Sequence, residues 1–406
     1  MGRTDDLGDS VSNPFRTHWR LNPDVDFLNH GSFGATPIVV MEAQRAWMER
    51  LERDPIEFLG PERALLPKLD RVRDYIGRLV GADPADLAFV RNATEGVNAV
   101  LRSFPFSPGD EVVITNHGYN ACNNAARYAA ERCGAVVSVA ELPFPIESNA
   151  QVIEAIDAML TSKTRLLLID HVTSPTGLVL PVKGLIELAR RRGVRVMVDG
   201  AHAPGMVPVD LSDLDPDYYT GNHHKWLCGP KTSGFLYVRR EWQHEVRPTT
   251  ISHGANSPAL GRTPFLAEFN WVGTYDPTPI LSMPAAVEFL SVLKEGGFTQ
   301  LMRDNHALVL AGRHALLDAL GCDLPAPAEM LGSLASVPLS AERVGDGDAV
   351  KRLQHRIYHE HAIEVPIFLL NGTLPCLRIS AQAYNSLDQY ERLADALRVC
   401  LDSKRS

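Results

Sequence analysis

The segment Thr220 to Gly234, TGNHHKWLCGPKTSG, holds two lysines, Lys225 and Lys231, two adjacent histidines, His223 and His224, and the cysteine Cys228. A lysine amine attacks carbonyl carbon and forms a Schiff base, so either lysine could anchor a carbonyl cofactor. The competing reading is a solvated lysine in a turn ahead of the strand GFLYVR. Adjacent histidines point to opposite sides of an extended or turning backbone and make a poor chelating pair. Downstream, KRLQHRIYHEH sets His355 and His359 four residues apart, with His361 following. No Glu completes an HExxH arrangement, so this reads as a solvated helix face, and no metal site is expected.

Two further clusters carry possible chemistry. VRVMVDGAHAPG ends its apolar run on Asp199, with His202 three residues on. A carboxylate there is costly unless it faces a cation, and a protonated pyridine nitrogen would be one; an Asp capping the next turn is the plainer alternative. RNATEGVNAV sets Thr94 where a strand gives way to a helix. The first helical turn offers unpaired N–H groups and a positive dipole end to a phosphate, although an ordinary Asn or Thr cap has the same appearance. No GxGxxG or GxxxxGK[ST] occurs, which disfavours dinucleotide and P-loop sites.

These clusters need elements to position them. From residue 85 the chain alternates short β-prone runs (DLAFV, EVVIT, TRLLLID, VRVMVD, GFLYVR) with amphipathic helical stretches. That alternation indicates βαβ units and a largely parallel sheet. The runs end in RNATEG, TNHGYN, IDHVTSPTG and VDGAHAPG, which should converge at the carboxyl edge of the sheet. From about residue 284 the pattern changes to helices (PAAVEFLSVLKEGG, NHALVLAGRHALLDAL, QYERLADALRVCLDS) and strands (LASVPL, CLRIS). The expected organisation is an arm over 1–25, a large α/β domain over 26–283 and a smaller α+β domain over 284–406, with a helical stretch at 40–80 broken at Pro55, Pro61 and Pro67.

The 406 residues carry a formal net charge of −9, against general binding to nucleic acid or anionic membranes. No apolar run approaches the roughly 20 residues that span a bilayer. Six scattered cysteines without a CxxC pair suit a reducing compartment, and the N-terminus lacks an apolar targeting segment. A cytoplasmic location is expected.

In order along the chain, a phosphate-cap Thr, an aromatic or His after the next strand, an Asp at a strand end and a Lys 26 residues later form the parts of a pyridoxal 5′-phosphate (PLP) site. With these parts, FLNHGSFGATP, TNHGYNAC, HVTSPTG, DGAHAPG and TGNHHKWLCGPKTSGFLYV, the sequence resembles the class V, fold-type I PLP enzymes from about residue 26 onward. It is most similar to their isopenicillin N epimerase-like branch. The resemblance implies a large domain whose mainly parallel seven-stranded sheet lies between helices. It implies Lys225 as the Schiff-base lysine, with Asn222 and His224 on the cofactor phosphate and Lys231 structural. Thr94 would cradle the phosphate with the backbone N–H groups of Ala93 and Glu95, and Asp199 would pair with the pyridine nitrogen. His202, where many relatives carry Gln, and Ser174, where many carry Asn, would lie near the ring hydroxyl. His117 is favoured for stacking on the ring and Tyr119 for facing the substrate. Gly273 and Thr274 would reach the phosphate in a neighbouring subunit, implying a homodimer with shared sites. Arg378 would grip the substrate carboxylate, and Asn29, His30 and Gly31 would line the substrate side.

The resemblance leaves the reaction open. Epimerisation of an amino acid comes first, with Tyr119 or His30 as proton donor opposite Lys225. β-Elimination by a C–S lyase acting on an S-conjugated cysteine follows, with Lys225 as base and Tyr119 as acid. Transamination or oxidative deamination is a further alternative. Persulfide-forming desulfuration is disfavoured, because the stretch before Arg378 has Pro366 and Asn371 where desulfurases carry Arg and Cys, and Cys376 reads as a strand residue. A role in bacterial specialised or thiol metabolism is implied, and a PLP-bound regulator is a remote alternative.

Overall fold

A computed structural model describes residues 13–258 and 260–402; the first twelve residues of the expected arm lie outside the described residues. Seven strands form the central sheet: β1 (Leu87–Val90), β2 (Glu111–Thr115), β3 (Val136–Ala140), β4 (Thr164–Asp170), β5 (Arg195–Asp199), β6 (Tyr218–Asn222) and β7 (Gly234–Val238). Their order is β1-β7-β6-β5-β4-β2-β3, and β7 alone runs antiparallel to its neighbours. The expected mainly parallel sheet is therefore present.

The continuous apolar runs are two-sided. Along β4, Leu167 and Ile169 enter one core while Leu166 and Leu168 enter another; in β5, Val196 and Val198 face the first and Met197 the second. This period-two division is what a sheet covered on both faces requires. The second core is closed by α3 (Ala93–Ser103) and α4 (Asn120–Cys133), through Val97, Val100, Ala126 and Ala129. The α4 face is mostly alanine and cysteine, so its backbone lies close to the strands. The first core is closed by α2 (Leu66–Val80) and α5 (Val182–Arg191), through Leu69, Ile76, Leu185 and Ile186. Each fully buried Leu, Ile or Val contributes roughly 1.5–3 kcal/mol before entropy is charged against it.

The prolines in 40–80 open elements more than they break one. α1 (Ile38–Arg53) ends ahead of Pro55, which starts the short helix Pro55–Leu59. Pro61 begins the turn Pro61–Leu65, and Pro67 sits in the first turn of α2, where its missing N–H costs nothing.

The remaining chain builds a three-stranded antiparallel sheet, β9-β10-β8, from β8 (Leu334–Pro338), β9 (Ile367–Leu370) and β10 (Leu374–Ser380). It packs with α6 (Gly297–Leu320), α7 (Gly347–His361) and α8 (Leu387–Asp402). The two-residue strand Asp26–Phe27 pairs with Ile363–Glu364 of this part. Asn13 Nδ2 donates to the carbonyls of Ala383 and Asn385. The N-terminal stretch is thus tied to the C-terminal elements.

Candidate active site

The N-termini of α3 and α4 and the carboxyl ends of β4, β5 and β6 surround a cavity of about 180 Å³. Its walls include Ser32, Thr94, Tyr119, Asp170, Ser174, Asp199, His202, Asn222, His224 and Lys225, residues far apart in sequence. The four clusters ending the apolar runs do converge here, as the topology of a parallel sheet demands.

Lys225 follows β6 and is buried, its Nζ 2.8 Å from His202 Nε2. Burial, seconded by the charge of Arg378, lowers its pKa to about 8. The short helix His30–Phe33 and its C-cap Gly34 brace this lysine. His30 Nε2 donates to the Lys225 carbonyl at 3.0 Å, and its Nδ1 takes the Tyr384 hydroxyl at 2.7 Å. A Cβ on Gly34, whose φ is +59°, would stand 2.2 Å from the His224 carbonyl oxygen, so only glycine permits this approach. Lys231 is spent elsewhere, donating to the Gly34 carbonyl at 2.8 Å.

The two histidines diverge. His223 Nδ1 meets Ser233 Oγ at 2.6 Å and its ring stacks on Phe235. His224 faces the cavity with a buried Nδ1 that has no partner, and burial holds its pKa down to about 4.

At the helix end, the expected donors are occupied. Ala93 N–H donates to Asn222 Oδ1 at 2.8 Å, and Glu95 N–H to Asn92 Oδ1 at 2.9 Å. Neither is left for an anion; Thr94 stands between them and lines the cavity. Asn222 likewise turns its carbonyl oxygen to Ala93 instead of the cavity.

Asp199 accepts from Ala201 N–H at 3.0 Å and from the Cys122 thiol at 3.1 Å. Its register partner on β4 is Asp170. Burial raises the pKa of both, and for Asp170 the neighbouring Asp199 charge adds to the rise. His202 is enclosed, with Trp226 Nε1 donating to its Nδ1 at 3.3 Å.

Arg378 lies in β10, buried, donating to the Ser174 carbonyl at 2.5 Å, to Ser174 Oγ at 3.2 Å, to Ser32 Oγ at 2.9 Å and to Asn29 Oδ1 at 3.4 Å. Neutral oxygens position the guanidinium, and among the described residues no carboxylate forms an ion pair with it. Burial pulls its pKa down to about 10. Ser174 is therefore held by Arg378. A Cβ on Gly31 would meet Leu334 Cδ2 at 2.7 Å and His202 Cε1 at 3.6 Å.

Some expected members stand apart. His117, favoured for stacking, is buried with Nδ1 on Thr176 Oγ1 at 3.1 Å and does not line the cavity, whereas Tyr119 does. His30 is absent from the lining because both ring nitrogens are engaged. Thr274 lines a different cavity of about 320 Å³, and Gly273 precedes it at φ +102°. The sequence reading missed Asp170, Cys122, Ser32 and Trp226. Asp170 ends TRLLLID just as Asp199 ends VRVMVD, a signal that was available; the partnerships of Cys122 and Trp226 need tertiary structure.

A larger groove of about 650 Å³, lined in part by Arg378, adjoins the cavity and shares Tyr119 and Ser174 with it. Asn116, Asn120 and Arg127 form a polar wall, and Pro366, Phe368 and Leu370 an apolar one. The profile of the class-V aminotransferases matches residues 60–393. This chain belongs to that family. A probable chloroplastic L-cysteine desulfhydrase of Arabidopsis thaliana is 34% identical over 400 residues, covering 93% of this chain and 83% of the relative. An isopenicillin N epimerase of Amycolatopsis lactamdurans is 35% identical over 390 residues, covering 93% and 96%. The solved complex of the cystine C–S lyase C-DES with its product cysteine persulfide superposes with a TM-score of 0.78 at 22% identity, covering 93% of this chain and 98% of that one. The class-V fold is that of the fold-type I PLP enzymes, and the protein is a PLP-dependent enzyme. Its cavity suits that cofactor. Its lining brings together the orphaned His224 Nδ1, Thr94 at a helix N-terminus, the buried carboxylate of Asp199 and the amine of Lys225.

Proposed function

We propose that this class-V enzyme is a C–S lyase that cleaves an S-substituted cysteine by β-elimination. One observation carries the reading: the cavity is lined by a single lysine amine, Lys225, and a single phenol, Tyr119, which also lines the adjoining groove. Bound PLP supplies a carbonyl for attachment and a ring that withdraws electrons from Cα. Thr94 and His224 would hold its phosphate, and Asp199 its pyridine nitrogen. Arg378, preset by Ser174, Ser32 and Asn29, would take the substrate carboxylate in a charge-assisted bidentate pair.

Lys225 Nζ would then remove the Cα proton. Tyr119 would protonate the thiolate as the Cβ–S bond gives its electron pair to sulfur, and with one water taken up the products would be the thiol, pyruvate and ammonium. Burial raises the Tyr119 pKa, so the phenol stays protonated and is present as a proton donor rather than as a base. Racemisation from either enantiomer would require it to act as both. The groove beyond Tyr119 gives room to a long S-substituent.

Epimerisation is the second reading, supported by the identity to isopenicillin N epimerase, with Tyr119 reprotonating Cα opposite Lys225. The buried, doubly bonded His30 gives it no further support. Desulfuration through a protein persulfide is disfavoured, because Cys376 is enclosed in β10 and burial pushes its thiol up to about 12. A homodimer is part of the proposal, since Thr274 stands in a surface cavity away from Lys225, available to a neighbouring subunit. No helix among the described residues is long and apolar enough to cross a membrane, and a cytoplasmic location is proposed.

The test is incubation of the holoenzyme with S-substituted L-cysteines and with other L-amino acids in D2O. Pyruvate plus one equivalent of thiol supports the lyase. Deuterium at Cα with inversion and no pyruvate replaces it with the epimerase, and a keto acid with pyridoxamine phosphate replaces it with transamination.

A further inference from the structure

Trp226, the residue after the lysine, is fully buried, and its one polar atom is spent on His202. An indole N–H only donates, so His202 Nδ1 must be the accepting nitrogen. A neutral imidazole carries one proton, which then resides on Nε2. Nε2 lies 2.8 Å from Lys225 Nζ. The N–H on that nitrogen needs a lone pair opposite, which a lysine amine has and an ammonium lacks. We infer that Trp226 is a positioning residue for the reaction: it fixes His202 as the Nε2–H tautomer, and His202 thereby holds the Lys225 amine as a hydrogen-bond acceptor, ready to attack a carbonyl.

His202 is neutral on independent grounds, since burial keeps its pKa well below the usual range. The groups around the pair come from every neighbouring element. Burial, and then the charge of Arg378 from β10, favour the uncharged lysine. Asp199 from β5, Asp170 from β4 and Cys122 from α4 act against it. His30 and His224 flank the imidazole and are themselves held neutral by burial. Carboxyls alone would keep the ammonium; the donor facing Nζ opposes them. Without the indole, the imidazole is free to protonate Nδ1 and present a lone pair to an ammonium, which stabilises the wrong form of the lysine.

The inference rests on Lys225 being the amine that captures the cofactor, and holds for whichever reaction follows. It is tested on cofactor-free full-length protein by the rate of aldehyde capture against pH, with borohydride trapping and peptide mapping to locate the bond. Trp226→Phe should move the pH midpoint up by about one unit and slow capture near neutrality about tenfold. Trp226→Phe combined with His202→Gln should restore it, because an amide donates whatever its neighbours do. An unchanged midpoint in Trp226→Phe, or no rescue by the amide, overturns the proposal. Trapping at another lysine in the wild type would instead overturn the assignment of Lys225. Should Trp226→Phe not fold, 15N-histidine spectra of the wild-type apoprotein decide the tautomer: Nε2–H at His202 supports the proposal and Nδ1–H ends it.

Discussion

Asp170 and Asp199 face each other across two adjacent parallel strands, in register at the last residues of β4 and β5, and both carboxyls are buried. Neighbouring parallel strands lie about 4.8 Å apart and share their pleat, so both side chains leave the sheet on the same face. That face is the one covered by α4, whose Cys122 thiol donates to Asp199. Two carboxylates so close do not both ionise readily. Each carboxyl accepts a backbone N–H, Asp170 from Tyr119 and Asp199 from Ala201, but only Asp199 also takes the Cys122 thiol, and the Asp170 pKa is raised further, by burial and then by Asp199 itself. The proton of the pair therefore belongs mostly to Asp170, leaving the anion at Asp199.

Asp170→Asn tests this division. A carboxyl raised above its unfolded value costs stability progressively as pH rises from the ordinary carboxylate pKa of about 3.9 toward the folded value. The amide removes that cost, so the apoprotein variant should equal wild type near pH 4 and exceed it at pH 8. A gain on the order of 1–3 kcal/mol is expected, the usual size of a single-site effect. Thermal melts at both pH values check it; a gain at pH 4 that vanishes at pH 8 would refute the proton assignment.

Lys225→Met should separate stability from function. The lysine pKa is depressed by burial to about 8, so the folded protein resists the charged form and the apoprotein gains stability as pH rises from about 8 through 10.5. Replacing the amine with an isosteric thioether should stabilise the apoprotein at pH 7 by roughly 2–3 kcal/mol, because each tenfold loss of proton affinity in the folded protein is worth about 1.4 kcal/mol. The gain should fade above pH 10.5. The same variant should lose the visible absorbance of the lysine-bound cofactor and roughly 10²–10⁴-fold or more in turnover. Retention of that absorbance would move the attachment point elsewhere.

The positions of these groups were unequally legible in the sequence. Asp199 could be found because it closes an apolar run, and Lys225 because it stands in a segment dense in lysine, histidine and glycine; the order of the runs implies a parallel sheet whose ends converge. The strands Val136–Ala140 and Tyr218–Asn222 were harder. The first is half-exposed at the sheet edge, and the second is masked by the polar residues that give it function. The N–H groups of Ala93 and Glu95 are met by two asparagines: Asn92 is the local helix cap of Glu95, and tertiary contact alone brings Asn222 onto Ala93. The resemblance sets His30 on the substrate side, with Tyr119 as the alternative proton donor opposite Lys225. The burial of His30 between Tyr384 and the Lys225 carbonyl follows only from a contact 354 residues apart.

Arg378→Gln should show the inverse coupling to a ligand. The guanidinium is buried without a carboxylate, and burial has lowered its pKa to about 10, so the empty protein carries a cost that an anion relieves. Amino-acid carboxylates should raise the melting temperature of the wild type, by linkage, and leave the variant unmoved. The kcat/KM for an amino-acid substrate should fall about 10²–10³-fold, the scale of a lost charge-assisted hydrogen-bond pair. Arg378→Lys should not restore it, since a point charge lacks the planar fork that meets Ser174, Ser32 and a carboxylate together. Equal ligand-induced stabilisation of wild type and Arg378→Gln would remove Arg378 from substrate binding.

Tyr119→Phe distinguishes an acid that assists the leaving group from one that serves Cα. The phenol lines both the cavity and the groove, is 43% exposed, and has its pKa raised by burial and then by the charges of Cys122 and Asp199. As the acid for a departing thiolate, it matters in proportion to the basicity of that thiolate. Elimination of an alkyl thiol should slow by roughly 10²-fold in the variant, at the lower end of what a positioned general acid contributes. Elimination of a nitrophenyl thiol, a far weaker base, should slow by no more than a few-fold. The slope of log kcat against thiol pKa should therefore steepen in Tyr119→Phe. If the phenol instead delivers a proton to Cα, the loss is uniform across leaving groups, deuterium incorporation at Cα falls with it, and the lyase reading gives way to the epimerase.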